Sequence, residues 1–320
     1  MSSHRSVARL LSALFATVAL FAACGSSSTA TTAGTASTIP TDTSASKPAA
    51  SLRISSIPDQ DPAKVAARDG AMAEYLRAKL GVSVEVVPVT DYAASVSLFK
   101  AGDLDLVFYG GLTGVQARLR SPGSVLIAQR DVDDAFRSVF IANASAGVAP
   151  VSGIDGLKTL AGKRFTFGSE SSTSGRLMPQ YFLDKAGLDA EKDFAGPAGF
   201  SGSHDKTVDL VQSGTYQAGA LNLQVWKSRI EKGTVDTTKV VEVFVTPSYR
   251  DYHWLASAGM TQRFGAGFTD KVKAAILGLD GADSTQAPVL QAYGAKSFIP
   301  TTAENYTEIE AIGRKLQLIN

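Results

Sequence analysis

From residue 52 onward, short apolar runs alternate with segments whose apolar residues recur at helical spacing. Residues 52–57 form a β-rich run that ends at Pro58-Asp59-Gln60-Asp61-Pro62. Asp61 there is a natural N-cap, and Pro62 suits the first helical position. Met72, Tyr75, Leu76 and Leu80 follow at helical spacing, and Gly81 closes the helix. Residues 84–87 predict the next strand, and Asp91 caps a helix running to about Ala101. Residues 104–109 are a continuous apolar strand carrying Asp105, followed by Gly110-Gly111 and another helix. This βαβαβ rhythm predicts a parallel, helix-covered sheet. It restarts at residues 163–168, a strand leading through Ser169-Glu170-Ser171-Ser172-Thr173-Ser174-Gly175 into a helix that reaches about Ala186. Pro179 requires the first turn of that helix to kink or to begin later. Residues 205–212 predict a helix and residues 218–221 a short strand.

An internal repeat links the two halves. Shifted by 112 residues, the segment 91–110 overlays 203–222 without a gap: Val96 meets Val208, Leu98 meets Leu210 and Gly102 meets Gly214. The helix–glycine–strand order is the same in both, which predicts two similarly built lobes. Tyr92 and His204 are equivalent in this register, each at the start of its helix. Ligands of open α/β sheets bind beyond the carboxyl ends of the strands. The two side chains are therefore expected to face each other across a cleft.

The first 50 residues follow a different pattern. Arg5 and Arg9 precede an apolar run over residues 10–23, too short for an ordinary membrane-spanning helix but suited to a signal-peptide core. The run ends in Phe21-Ala22-Ala23-Cys24-Gly25, where Cys24 is the only cysteine of the chain. Small residues before a lone cysteine resemble the lipobox of bacterial lipoproteins, with Phe21 in place of the usual Leu. The alternative is an ordinary signal peptide with an incidental cysteine. Residues 25–50 are rich in Ser, Thr, Ala and Gly without an aromatic residue, and such a segment reads as a flexible spacer. Residues 1–23 are thus expected to be a signal peptide and 24–50 a lipidated tether.

Composition narrows the function. At 320 residues, with 44% hydrophobic and 19% charged residues, the chain is a folded protein of about two domains. Its 31 basic and 30 acidic residues argue against a nucleic-acid binder working through a general basic field. Without residues 1–23 the formal charge falls to −1, so a bound anion would need a local site. No Cys/His cluster has zinc-site spacing, and no metal or cofactor is expected.

Ser172-Thr173-Ser174-Gly175 is the strongest local signal. Consecutive hydroxyls at a helix N-terminus lie beside unpaired N–H groups and the positive end of the dipole, a ready anion site. A plain helix cap is the alternative, although one hydroxyl would suffice for that. His204, in a Gly- and Ser-rich loop at a helix start, reads as a donor to an oxyanion that could respond to pH near neutrality. Catalytic motifs are absent or incidental. Ser-x-x-Lys occurs at Ser44, Ser97 and Ser203 with no partner motif. The glycines at 156 and 162 are spaced one residue too far apart for a P-loop, and Arg164 replaces its Ser/Thr.

From residue 52 to the C-terminus the chain resembles the phosphate/phosphite/phosphonate-binding proteins of ABC importers. The resemblance rests on Ile57-Pro58-Asp59, Val89-Thr90-Asp91-Tyr92-Ala93-Ala94, Asp105 with Gly110-Gly111, Ser138-Val139-Phe140-Ile141, Leu157 with Gly162-Lys163, Ser172-Thr173-Ser174-Gly175, Gly202-Ser203-His204 and Phe298-Ile299-Pro300-Thr301. It implies an α/β, two-lobed type II periplasmic binding protein with a mixed sheet in each lobe and two hinge crossovers. Lobe 1 would hold residues 51–142 and 249–320, and lobe 2 residues 143–248. It further implies that Tyr92, Ser172, Thr173, Ser174 and His204 hold the oxygens of a tetrahedral anion, with Gln60, Tyr109, Phe136, Gln224 and Asp251 around them.

Members that bind aminoalkylphosphonates place an acid where this chain has Gln224, and many carry Tyr in place of Phe136. These departures favour a small amine-free anion: phosphite, phosphate or a short alkylphosphonate. Residues 249–254 and 299–310 also resemble a subgroup described as selenate binders, which makes a group 16 oxyanion the alternative ligand. The expected partners are a membrane permease and, through Cys24, the outer face of the cytoplasmic membrane, with the protein a monomer that binds no nucleic acid. Two further classes remain open, a surface hydrolase using His204 with a serine of 171–174, and a tethered sensor.

Overall fold

The computed structural model describes residues 50–319; the expected leader, Cys24 and the spacer up to residue 49 lie outside the described residues. The described residues belong to one compact unit built on two sheets. The first half runs β1 (Leu52–Ser56), α1 (Pro62–Leu80), β2 (Val84–Val86), α2 (Tyr92–Ala101), β3 (Leu106–Tyr109), α3 (Gly111–Arg120) and β4 (Val125–Arg130). The second lobe follows with β5 (Ser138–Asn143), β6 (Phe165–Phe167), α4 (Met178–Lys185), β7 (Gly199–Phe200), α5 (His204–Gln212), β8 (Ala218–Asn222), α6 (Leu223–Glu231) and β9 (Val240–Val245). The chain then returns to the first lobe for β10 (His253–Ala256), three helices, β11 (Phe298–Ile299) and a C-terminal helix, Thr307–Lys315.

Local chemistry sets the element ends. Asp61 Oδ1 accepts from the Ala63 N–H with Pro62 at the first turn of α1, and Gly81 ends that helix in the left-handed conformation. Asp91 and Ser203 cap α2 and α5 in the same way, each in extended backbone and each accepting a first-turn N–H. The repeat therefore corresponds to matching capped helices, with Tyr92 and His204 the first residue of each. Ahead of α4, residues Thr173–Leu177 wind as a π-turn. Regular α-helix begins only at Met178, so Pro179 falls in the first turn, where its missing N–H costs nothing.

The sheets are mixed, unlike the parallel sheet that the rhythm predicts. The first has the order β11-β4-β10-β3-β1-β2, with β1 parallel to β2 and β3 but β10 antiparallel to both β3 and β4. The second has the order β7-β6-β8-β5-β9, with β5 antiparallel to β8 and β9. In each sheet the reversed central strand is the one that arrives from the other lobe. A strand entering across the hinge runs back against strands that entered through their own helices.

The crossovers fix the lobe limits. All of Ser138–Asn143 pairs within the second sheet, so residues 138–142 do not belong to lobe 1 as expected. Residues 131–137 make the outward crossing and 246–252 the return. The two are bonded to each other, with Phe136 N–H donating to Tyr249 O at 2.8 Å and Tyr249 N–H to Phe136 O at 2.9 Å.

Strand alternation places the cores. On β5, Val139 and Ile141 face a cluster with Val208, Val211, Leu221 and Trp226, whereas Phe140 and Ala142 join the larger core that runs through both lobes. Burying each such side chain stabilises the fold by about 1.5–3 kcal/mol. In lobe 1, α3 presses against β10 so closely that a Cβ on Gly114 would lie 2.2 Å from the His253 ring. Among the described residues no helix is long and apolar enough to cross a membrane.

Candidate functional site

The buried charges beneath the site come in pairs. Arg68 on α1 donates to Asp59 Oδ1 at 3.2 Å and to Asp69 Oδ1 at 3.3 Å. Arg130, at the end of β4, is held by both oxygens of Asp133 at 2.7 Å. Its guanidinium lies 4.7 Å from the Tyr252 ring centroid, within an aromatic layer that includes Phe108 and Phe136. Both arginines are therefore charge-paired with acids, although Arg68 Nη2 is buried without a hydrogen-bond partner.

Onto this base the two lobes bring their hydroxyls. Tyr92, Ser172, Thr173, Ser174, His204 and Asp251 are each at most 2% exposed. Ser172 Oγ accepts from Gly175 N–H at 2.9 Å, the cap of the π-turn. Thr173 Oγ1 crosses to lobe 1 and accepts from Leu112 N–H at 2.9 Å. Ser174 Oγ is buried with no protein partner, as is Tyr92 Oη. Burial pushes the Tyr92 hydroxyl well above its ordinary pKa, a rise reinforced by the charge of Asp59 and opposed by the nearby Ser172 hydroxyl. It remains a neutral donor. A Cβ on Gly175 would lie 3.0 Å from Ser172 Oγ and 3.3 Å from His204 Cε1, so glycine there lets the serine turn and the histidine meet.

His204 joins the lobes through its backbone, with its N–H donating to Asp59 O at 2.9 Å. Its Nδ1 accepts from Asn222 N–H at 3.4 Å, which leaves the proton on Nε2, 3.4 Å from Tyr252 Oη. Tyr252 Oη donates in turn to Asp59 Oδ2 at 3.0 Å. Burial lowers the His204 pKa, with Asp59 and Asp205 pulling the other way. The ring is thereby held towards its neutral form.

Asp251 reaches the cluster from the return crossover. Its Oδ1 accepts from Gly111 N–H at 2.8 Å and so supplies the cap that Gly110 cannot give α3. Its Oδ2 is buried without a partner. A Cβ on Gly110 would lie 3.2 Å from both Asp251 Oδ1 and Thr173 Oγ1, so the acid and the threonine flank one point.

The remaining expected residues are placed differently. Tyr109 is not brought to the cluster, because its hydroxyl donates to Ser95 O at 2.9 Å within the lobe 1 core and its ring packs edge-on against Phe99. Gln60 and Gln224 line a groove of about 500 Å³ that reaches Asp59 and Arg68, with Lys64 at its side, and Gln60 also lines a second groove together with Tyr92. Phe136 is an apolar wall packed against Tyr249 and Tyr252, with centroids 6.1 and 5.5 Å away.

Sequence reasoning missed Asp59, Tyr252, Tyr249 and Ser138 as members of the cluster. Tyr249 Oη and Ser138 Oγ are 2.6 Å apart, and Ser138 Oγ also donates to Ser174 O at 2.8 Å. Asp59 had a readable signal, since Pro58-Asp59 directly follows the carboxyl end of β1. Tyr249 and Tyr252 lie in the return crossover and Ser138 opens β5 directly after the outward one, and no periodicity reveals how these segments pair.

Chemically the cluster is a set of neutral donors closed between two lobes around one unpaired acid. This suits a small tetrahedral oxyanion better than a reacting ester. The family model of the ABC transporter phosphonate periplasmic substrate-binding protein matches residues 54–306. The chain is 46% identical over 268 residues to the probable ABC transporter phosphite binding protein PhnD1 of Prochlorococcus marinus, covering 84% of this chain and 90% of that one. The solved structure of that PhnD1 in complex with methylphosphonate superposes with a TM-score of 0.82 at 47% identity, over 84% of this chain and 98% of the other. A binding protein component of an ABC phosphonate transporter from Pseudomonas aeruginosa, 16% identical, shares the fold with a TM-score of 0.71 over 83% of this chain and 86% of that one. The family match over most of the described chain settles its kinship: it belongs to the periplasmic substrate-binding proteins of phosphonate ABC transporters.

Proposed function

We propose that this protein captures a small phosphorus oxyanion (phosphite, phosphate or a short alkylphosphonate) between its lobes and delivers it unchanged to an ABC permease. The observation that carries the reading is the buried convergence of Tyr92, Ser172, Thr173, Ser174, His204 and Asp251 from both lobes. The phosphite-binding name and the bound methylphosphonate of its 46–47% identical relative support the same ligand class. Binding at about micromolar strength needs roughly −8 kcal/mol. A handful of hydrogen bonds to a charged ligand, at ~1.5–3 kcal/mol each, supply that after ordering costs.

Binding is favoured over hydrolysis by the state of the nucleophile candidates. Ser172 Oγ is engaged as a cap, and the His204 ring nitrogens face Asn222 and Tyr252, so no serine–histidine pair is formed.

Calorimetric titration with phosphite, methylphosphonate, phosphate, selenate, sulfate and 2-aminoethylphosphonate tests the reading. Micromolar or tighter binding of at least one of the first three is expected, with 2-aminoethylphosphonate weaker. Selenate binding without any phosphorus ligand would replace the reading with its group 16 alternative. The protein is further proposed to work as a monomer tethered through a lipid on Cys24. Cys24→Ser is expected to move it from the membrane fraction to the soluble one, and an unchanged distribution would remove the anchor.

A further inference from the structure

We propose that Asp59 is a positioning residue for the oxyanion site: by accepting the Tyr252 hydroxyl it turns the phenol's lone pairs towards His204 and fixes that ring as the Nε2–H tautomer, a hydrogen-bond donor to the anion. This deepens the reading given above and rests on it.

Asp59 is the point at which polar groups of both lobes join. It lies just beyond β1 and is 1% exposed. Its Oδ1 accepts from Arg68 Nη1 at 3.2 Å, its Oδ2 from Tyr252 Oη at 3.0 Å, and its backbone O from the His204 N–H of the other lobe at 2.9 Å. A guanidinium keeps its protons in a protein and only donates. Arg68 is itself buried between Asp59 and Asp69. Both carboxyl oxygens of Asp59 therefore act as acceptors, and the Tyr252 proton has a fixed destination. Burial raises the Tyr252 pKa well above its ordinary value, reinforced by the charge of Asp59, so the hydroxyl keeps the proton it gives to that bond.

The direction of the next bond follows. Tyr252 Oη also lies 3.4 Å from His204 Nε2. With its own proton committed to Asp59, the hydroxyl offers His204 only lone pairs, and the ring answers with Nε2–H. Asn222 N–H, 3.4 Å from Nδ1, favours the same tautomer, but a contact of that length is weak. The bond to Tyr252 is equally long, so the Nε2 proton is open to a stronger acceptor. An oxyanion is one, and a neutral phenol is not.

The reversed chain would harm the site. A Tyr252 proton given to His204 Nε2 would force the ring's proton onto Nδ1, against Asn222 N–H, and would leave Nε2 unable to donate to an anion. Asparagine at position 59 imposes that reversal. Its single side-chain oxygen is claimed by Arg68, and its amide then donates to Tyr252 Oη. Charge alone predicts the opposite outcome, because removing an acid beside an anion site strengthens anion binding. The sign of the effect therefore separates the two accounts.

The test is calorimetry of phosphite, methylphosphonate and phosphate binding to the full chain, unsubstituted and as Asp59→Asn, Tyr252→Phe and the double variant. Nitrogen NMR of the 15N-histidine-labelled chain, with His204→Gln to assign the signal, reads the tautomer. With the tightest of the three anions bound, His204 should be Nε2–H in the unsubstituted protein and shift towards Nδ1–H in Asp59→Asn. Asp59→Asn should weaken that anion's binding at least about tenfold, the effect of one donor lost to a charged ligand. In the Tyr252→Phe background no hydroxyl remains to be reversed. The same substitution should then cost less than about threefold, a non-additivity that a general loosening of the fold does not produce.

Binding that is unchanged or tighter in Asp59→Asn, or an equal loss in both backgrounds, overturns the proposal and leaves the oxyanion site standing. So does a His204 that is Nδ1–H or doubly protonated in the liganded, unsubstituted protein. Failure of the unsubstituted chain to bind any of the three anions removes the site and the proposal with it. If Asp59→Asn does not fold, the tautomer in the liganded, unsubstituted protein decides alone.

Discussion

Two tyrosines show how much a single atom's partner decides. Tyr92 and Tyr109 are both fully buried and both lie next to a strand or helix end that faces the cleft. Tyr109 Oη is committed to Ser95 O, whereas Tyr92 Oη has no protein partner. Removing a satisfied buried donor strands its acceptor at a cost of about 1–3 kcal/mol, whereas removing an unsatisfied one costs the fold little. Tyr109→Phe should therefore lower unfolding stability by roughly 1–2 kcal/mol and leave phosphite affinity unchanged. Tyr92→Phe should leave stability within about 0.5 kcal/mol and weaken binding about tenfold, the effect of one hydrogen bond. Denaturant unfolding and calorimetry on the same two variants separate the cases. A stability loss without an affinity loss in Tyr92→Phe would make Tyr92 a core residue.

At the scale of elements, what can be read from sequence is what local chemistry determines. Asp61 and Asp91 announce their helices because an N-cap needs an oxygen beside free N–H groups, whereas the Ser203 cap of α5 emerges only in the structure. The 112-residue repeat then placed Tyr92 and His204 in equivalent positions. Both are first residues of capped helices that follow the carboxyl ends of parallel strands. Ser172-Thr173-Ser174 was legible for the same reason, although its turn is wider than an α-helical one. Strand direction was not legible, because an apolar run reads the same forwards and backwards. The reversed strands β5 and β10 thus eluded the pattern, and the lobe limit at residue 142 was set too late. Tyr109 entered through the family resemblance alone, and its hydroxyl is committed to Ser95 O instead. Tyr249, Tyr252 and Asp251 depend on how the return crossover packs against the outward one, contacts that span more than a hundred residues.

The whole molecule adds what no single element holds, a set of bonds that exist only while the lobes face each other. Apart from the ligand cluster, these converge on Asp205, next to His204. Its Oδ2 accepts from Asp61 N–H at 2.9 Å and its Oδ1 from Lys64 Nζ at 2.9 Å, both on lobe 1, while Arg229 of its own lobe braces it from behind. Burial pushes the Asp205 pKa upward, but the hydrogen bonds from Lys64 and Asp61 more than offset this and hold it below the ordinary carboxylate range. The acid is therefore charged throughout the neutral range. Lys64 is 44% exposed, so its ion pair is screened and weak. The buried-side bond to the Asp61 N–H carries more of the effect. Because Asp205 is outside the hydroxyl cluster, its contribution to affinity comes through the closed arrangement. Asp205→Ala is expected to weaken phosphite binding about tenfold, equivalent to about 1.4 kcal/mol, mostly through faster release. Lys64→Met should weaken it less, by about threefold, and should remove most of the salt dependence. Stopped-flow release rates read the first effect, and small-angle scattering of each variant with saturating phosphite reads lobe separation. Unchanged release in Asp205→Ala would assign closure to the remaining contacts, which among the described residues include the Leu112–Thr173 and His204–Asp59 bonds, together with those to the ligand.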